Sequence, residues 1–152
     1  MNSQPVASIE ISGDPNKLSD SLSTIRSYVM TASQAASLDK QAANRLRLAI
    51  DEVATNIINY GYGRAGLQGI VKLSTLIDTD KLILTLEDTA VAFNPHQHQL
   101  PTNFDAPPDE RPIGGLGVFL AMKNVDAWDY EYLNNSNINR FTMKRPSGAS
   151  SQ

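Results

Sequence analysis

Residues 70–86 carry two back-to-back runs of alternating residues. Val71, Leu73, Thr75 and Ile77 fall on one face of the first run, and Leu82, Leu84 and Leu86 on one face of the second. With the turn Asp78-Thr79-Asp80-Lys81 between them, the pair predicts a β-hairpin. A hairpin apolar on one face is not stable alone in water and needs a covering layer. The preceding sequence supplies one. Asp14-Pro15 pairs a capping acceptor with a residue suited to the first helical position, and Leu18, Leu22, Ile25 and Val29 then recur at helical spacing. A second helix is predicted from about Asp39 to Tyr60, with Leu46, Ile50, Val53 and Ile57 as its buried stripe and Gly61 and Gly63 as its stop. Val6 to Ile11, ahead of both helices, reads as an edge strand.

Beyond the hairpin, residues 94–113 have little periodicity and contain Pro95, Pro101, Pro107, Pro108 and Pro112. A loop that long inside a compact domain is usually functional. The run Gly114-Gly115-Leu116-Gly117 then opens a short helix carrying Leu116, Phe119, Leu120 and Val125. Trp128, Tyr130 and Tyr132 alternate in one closing strand and Phe141 and Met143 in another, with Asn134-Asn135-Ser136-Asn137 as the turn. The order β-α-α-β-β-loop-α-β-β predicts an α+β fold, a two-layer sandwich whose mainly antiparallel sheet is covered by helices on one face. Residues 6–145 are expected to form a single domain, with 1–5 and 146–152 as flexible termini.

A chain of 152 residues with 41% hydrophobic content is globular in class. Its net charge of −3 argues against a nucleic-acid surface, which needs a basic face. It has no cysteine, hence no disulfide framework and no catalytic thiol. No signal-peptide pattern and no membrane-length apolar run are present, and a cytoplasmic setting without nucleic-acid or membrane partners is the expectation.

Chemistry concentrates at three places. On the second helix Glu52, Asn56 and Asn59 are spaced i, i+4 and i+7, within roughly 60° of one another and bordering the apolar stripe. A carboxylate and amides at a core edge need partners, and a Mg²⁺ ion with phosphates would supply them. A solvated helix face is the plainer reading of this helix taken alone. The second hairpin strand ends Glu87-Asp88-Thr89-Ala90, followed by Phe93-Asn94-Pro95. Asp88, at the mouth of a buried strand, can accept a hydrogen bond from an exocyclic amine such as that of adenine, or simply start a turn. Gly114-Gly115-Leu116-Gly117 before a helix lets backbone approach a phosphate at a positive dipole end. No Gly-Lys-Ser/Thr follows, so it is not a Walker A loop.

Together these segments resemble the GHKL (Bergerat-fold) ATP-binding superfamily, and within it the anti-sigma-factor serine/threonine protein kinases (RsbW/SpoIIAB-like). DEVATNIINYGY (51–62) is similar to that family's N box, DTAVAFNP (88–95) to its G1 box, and ERPIGGLGVFLAMKNVD (110–126) to its G2 box and following helix. The resemblance implies ATP or ADP with Mg²⁺ as cofactors. It implies Asn56 as metal ligand, Asp88 as the adenine reader, and the backbone of Gly114, Gly115, Leu116 and Gly117 around the phosphates. Asn59, Ala90, Phe93, Arg111 and Thr142 fall in or beside the same nucleotide site, and 94–113 would be an ATP lid. Glu52 would be the catalytic base toward a partner's serine. The implied partners are a STAS-type anti-sigma-factor antagonist, a sigma factor, or both, with a homodimer as a family expectation. Ala90 stands where the G1 box has glycine, which puts a methyl near the purine and bears on affinity.

His96 and His98 form a His-x-His pair without an obvious third ligand and read as polar lid residues. Arg111 either touches a phosphate or caps the lid. Three functional readings stay open: a protein kinase; a non-catalytic binding module that sequesters a partner with nucleotide structural or absent; and, less favoured, an ATPase or a detached sensor-kinase ATP domain.

Overall fold

The computed structural model describes residues 4–92 and 123–146. Five strands form one sheet in the order β1-β2-β3-β5-β4, with β1 Gln4–Ser12, β2 Ile70–Ile77, β3 Lys81–Asp88, β4 Ala127–Leu133 and β5 Ser136–Lys144. Every pairing is antiparallel. β1 is an edge strand, as its weak alternation predicts. Helices α1 (Leu18–Ala35) and α2 (Lys40–Asn56) pack on one face, giving the expected two-layer α+β fold.

The sheet's apolar parity is the one the sequence predicts. Val71, Leu73, Thr75 and Ile77 are buried, and so are Leu82, Leu84 and Leu86. Ile25 and Val29 of α1 and Leu46, Ile50 and Val53 of α2 meet them. Burying each such side chain stabilises the fold by roughly 1.5–3 kcal/mol. One polar bridge crosses the layers, the Thr75 hydroxyl donating to the Tyr28 hydroxyl at 3.1 Å. The buried Arg145 closes the far end, donating to the carbonyls of Ala36 at 2.8 Å and Asp78 at 2.7 Å.

Three local expectations are corrected. Asp14 caps the helical segment as expected, its carboxylate accepting from the Asn16 amide at 2.9 Å, but the first turn, Pro15–Lys17, is 3-10 and the α-helix itself starts at Leu18. The closing hairpin turns on two residues, Asn134 and Asn135, both at positive φ (53° and 63°), a backbone that asparagine tolerates. Ser136 and Asn137 already belong to β5.

The third correction bears on function. Gly61 and Gly63 do not stop the second helix: from Ile57 to Arg64 the chain continues as a π-helix. The wider turn changes the phase of the buried stripe, so Ile58, not Ile57, is fully buried, followed by Tyr62. Both glycines are there for close packing. A Cβ on Gly63 would sit 2.6 Å from the Pro15 Cγ, and one on Gly61 would sit 2.9 Å from the Ala90 Cβ. Tyr62 is wedged between Gly13 and Gly69, where any added Cβ would fall within 2.7 Å of its ring. Its hydroxyl donates to the Ile70 carbonyl at 2.6 Å and accepts from the Thr89 amide at 2.9 Å. The π-helix is thereby tied to the start of β2 and to the loop after β3.

A candidate nucleotide site

The end of α2 and the loop after β3 converge through the π-helix. The Val91 amide donates to the Gly61 carbonyl at 3.3 Å, and the Ala90 methyl packs on Gly61. Two polar atoms near this junction have no hydrogen-bond partner among the described residues although both are buried: Nδ2 of Asn56 and Oδ2 of Asp88. An unsatisfied buried polar group costs roughly 1–3 kcal/mol. One orphan donor at the end of α2 and one orphan acceptor at the end of β3 are what a bound polar ligand would repay.

Asp88 is 2% exposed. Its Oδ1 accepts from the Ala90 amide at 3.0 Å and from Asn137 Nδ2 at 2.9 Å, and the buried Oδ2 has no partner among the described residues. Burial raises its pKa, and the two donors partly offset the shift. Glu52, one helical turn before Asn56, is half-buried. Its pKa is raised first by desolvation and then by the neighbouring Asp51 carboxylate. Arg26 at 2.9 Å and Arg47 at 3.4 Å both engage Asp51, not Glu52. A carboxylate with a raised pKa and no ion pair among the described residues is suited to taking a proton.

The other candidates divide. Asn59 lies in the π-helix and lines a cleft with Ser12, Asp14, Asn16 and Gln68. Thr142 is corrected. It pairs with Ile83 and Ala127, on the sheet face opposite Asp88, and so does not reach Asp88's surroundings. Phe93, Arg111, Gly114, Gly115, Leu116, Gly117, the pair His96 and His98, and the whole expected lid 94–113 lie outside the described residues. Among the described residues no group of three or more His, Cys, Asp or Glu is placed to hold a metal. A residue the sequence reading passed over is Asn137. Read there as a turn former, it is 3% exposed and touches Asp88.

The family model for the histidine kinase-like ATPase domain matches residues 15–144. The chain belongs to that family. The match spans α1 to β5 and so contains Glu52, Asn56, Asp88 and Asn137. For a histidine kinase-like ATPase domain, the two orphaned atoms fall on the segments that the resemblance assigns to metal and adenine. No curated protein matches the chain. Among the described residues no helix is long and apolar enough to cross a membrane.

Ala90, the departure from the G1 glycine, has a place in this geometry. Its methyl is 5% exposed and is turned onto Gly61 of the π-helix, so the two positions share room for one methyl. Gly61→Ala is expected to destabilise the protein by about 1–3 kcal/mol through overpacking. Adding Ala90→Gly should recover most of that, because it moves the methyl from loop to helix. Denaturant unfolding of both single variants and the double variant measures the coupling. Strictly additive losses would show that the two sites do not share the space.

Proposed function

We propose that this domain binds Mg·ATP and transfers the γ-phosphoryl group to a serine of a protein partner, as an anti-sigma-factor-type serine/threonine kinase. The observation that carries the reading is the pair of buried atoms without partners among the described residues, Asn56 Nδ2 and Asp88 Oδ2, in a chain of the ATPase family. The Asp88 carboxylate takes the purine's exocyclic amine on Oδ2. The Asn56 carboxamide, whose nitrogen has no partner among the described residues, would supply its oxygen to a metal bound with the nucleotide. Mg²⁺ accepts few protein ligands beside phosphate and water, so one carboxamide suits it, and the bound ion would neutralise phosphate charge.

Glu52 receives the proton of the attacking serine hydroxyl as the new O–P bond forms and the bond to the leaving ADP oxygen breaks. Its raised pKa favours holding that proton. The partner is a STAS-type antagonist, a sigma factor, or both in turn, in a cytoplasmic setting. A non-catalytic sequestering module is the competing reading, and Ala90 was its main support. With the methyl turned onto Gly61, that support weakens.

Calorimetry tests the binding half. Mg·ATP should give a saturable heat that falls when EDTA is added. Asn56→Ala should weaken Mg²⁺-dependent binding by about tenfold or more without unfolding the protein. No heat and no thermal shift with Mg·ATP would sink the nucleotide reading. Labelled ATP with the antagonist and its serine-to-alanine variant tests the transfer half. Nucleotide binding without transfer would leave the sequestering module.

A further inference from the structure

The structure assigns Asn137, held by Tyr130, as the positioning residue that makes Asp88 selective for an amino-purine over an oxo-purine, an inference that rests on the nucleotide reading above. Asp88 and Asn137 lie 49 residues apart in the chain and face each other directly across β3 and β5. Asn137 Nδ2 donates to Asp88 Oδ1 at 2.9 Å, to the Val91 carbonyl at 3.0 Å and to the Ala90 carbonyl at 3.3 Å. Its own Oδ1 accepts from the Tyr130 hydroxyl.

That set of partners settles which way the carboxamide points. With its ends exchanged, Asn137 would aim an oxygen at three acceptors and an NH₂ group at a hydroxyl that can still rotate to accept. The three acceptors decide, and the Tyr130 hydroxyl reinforces them as a donor. Asn137 is therefore a donor fixed on one oxygen of a carboxylate that is 2% exposed. Asp88 Oδ1 is filled by Asn137 and the Ala90 amide, and Oδ2 has no partner among the described residues.

Two consequences follow for recognition. The carboxylate is held in one orientation, so the open acceptor does not rotate to suit a different ligand edge. The donor on Oδ1 also favours the ionised, acceptor-only form against burial, which pulls the other way. An exocyclic amine meets that acceptor with a hydrogen bond. An oxo group in the same place meets it with like partial charge and no proton, unless Asp88 is first protonated or turned. Removing Asn137 permits both escapes. The discrimination should therefore weaken more than the fold does.

The test compares ATP with ITP, which carries an oxo group in place of the exocyclic amine and a proton on the adjacent ring nitrogen. Binding is measured by calorimetry from pH 6 to 8 on wild type, Asn137→Leu and Tyr130→Phe, with circular dichroism to confirm folding. Wild type should prefer ATP by about tenfold or more. In Asn137→Leu the preference should fall toward unity, and the weakening of ATP binding on acidification should move to higher pH. Tyr130→Phe should shift both readouts the same way, by less. Equal losses for ATP and ITP, or an unchanged preference in both variants, would overturn the inference and leave Asn137 a loop brace. If Asn137→Leu does not fold, Tyr130→Phe decides alone, since it removes one oxygen from a half-buried ring. Wild type that binds neither nucleotide would instead overturn the nucleotide reading itself.

Discussion

Asp88→Asn is expected to lose adenine nucleotide by roughly 10²-fold or more, and at neutral pH to unfold less readily than wild type. The substitution is isosteric. The remaining Oδ1 still accepts from Ala90 and Asn137, while an NH₂ replaces the orphaned Oδ2 and would face the ligand's amine donor to donor. The stability gain comes from burial. In the folded protein the Asp88 pKa is raised, so as pH climbs past the ordinary carboxylate value the unfolded chain ionises first. The folded chain then holds the extra proton, and stability falls with rising pH until Asp88 itself ionises. Wild type without nucleotide should show that fall in thermal melts above pH 4, and Asp88→Asn should show less of it. Glu52, also raised, adds a component of the same sign that the variant keeps. Wild-type affinity in a folded Asp88→Asn protein would remove Asp88 from the site.

Glu52→Gln should separate chemistry from binding. The glutamine keeps the size of the side chain at the edge of α2 but cannot take a proton from a serine hydroxyl. Phosphoryl transfer should fall by roughly 10²-fold or more, with Mg·ATP affinity within a few-fold of wild type. The fold should tolerate the change, because the half-buried carboxylate has no salt bridge to lose among the described residues, and desolvation already penalises its charge. Single-turnover transfer to the antagonist, beside calorimetry on the same preparations, reads both quantities. Transfer at the wild-type rate would take the role of base away from Glu52 while leaving the kinase reading intact.

The strands, the two helices and the Glu52–Asn56 spacing were legible in the sequence because each follows from local backbone geometry. A period of two puts Val71, Leu73, Thr75 and Ile77 on one face whatever lies across from them, and a helical period does the same for Leu46, Ile50 and Val53. The misplacement of Thr142 was avoidable on the same ground: with Phe141 and Met143 in the core, parity already turns Thr142 to the other face. The helix beyond Asn56 was different. Gly61 and Gly63 signal a stop by their own conformational freedom, and only the packing partners Ala90, Pro15 and the slot for Tyr62 make a continued π-helix the better solution. Asn137 was beyond local reading altogether. In an Asn-rich stretch it looks like one more turn residue, and its burial and its hold on Asp88 exist only once β5 has paired with β3. Periodicity is written into neighbouring residues, so the sequence by itself determined the layers and the polar edge of α2. The orientation of the Asp88 carboxylate depends on a donor from a distant strand, and only the tertiary structure decided it.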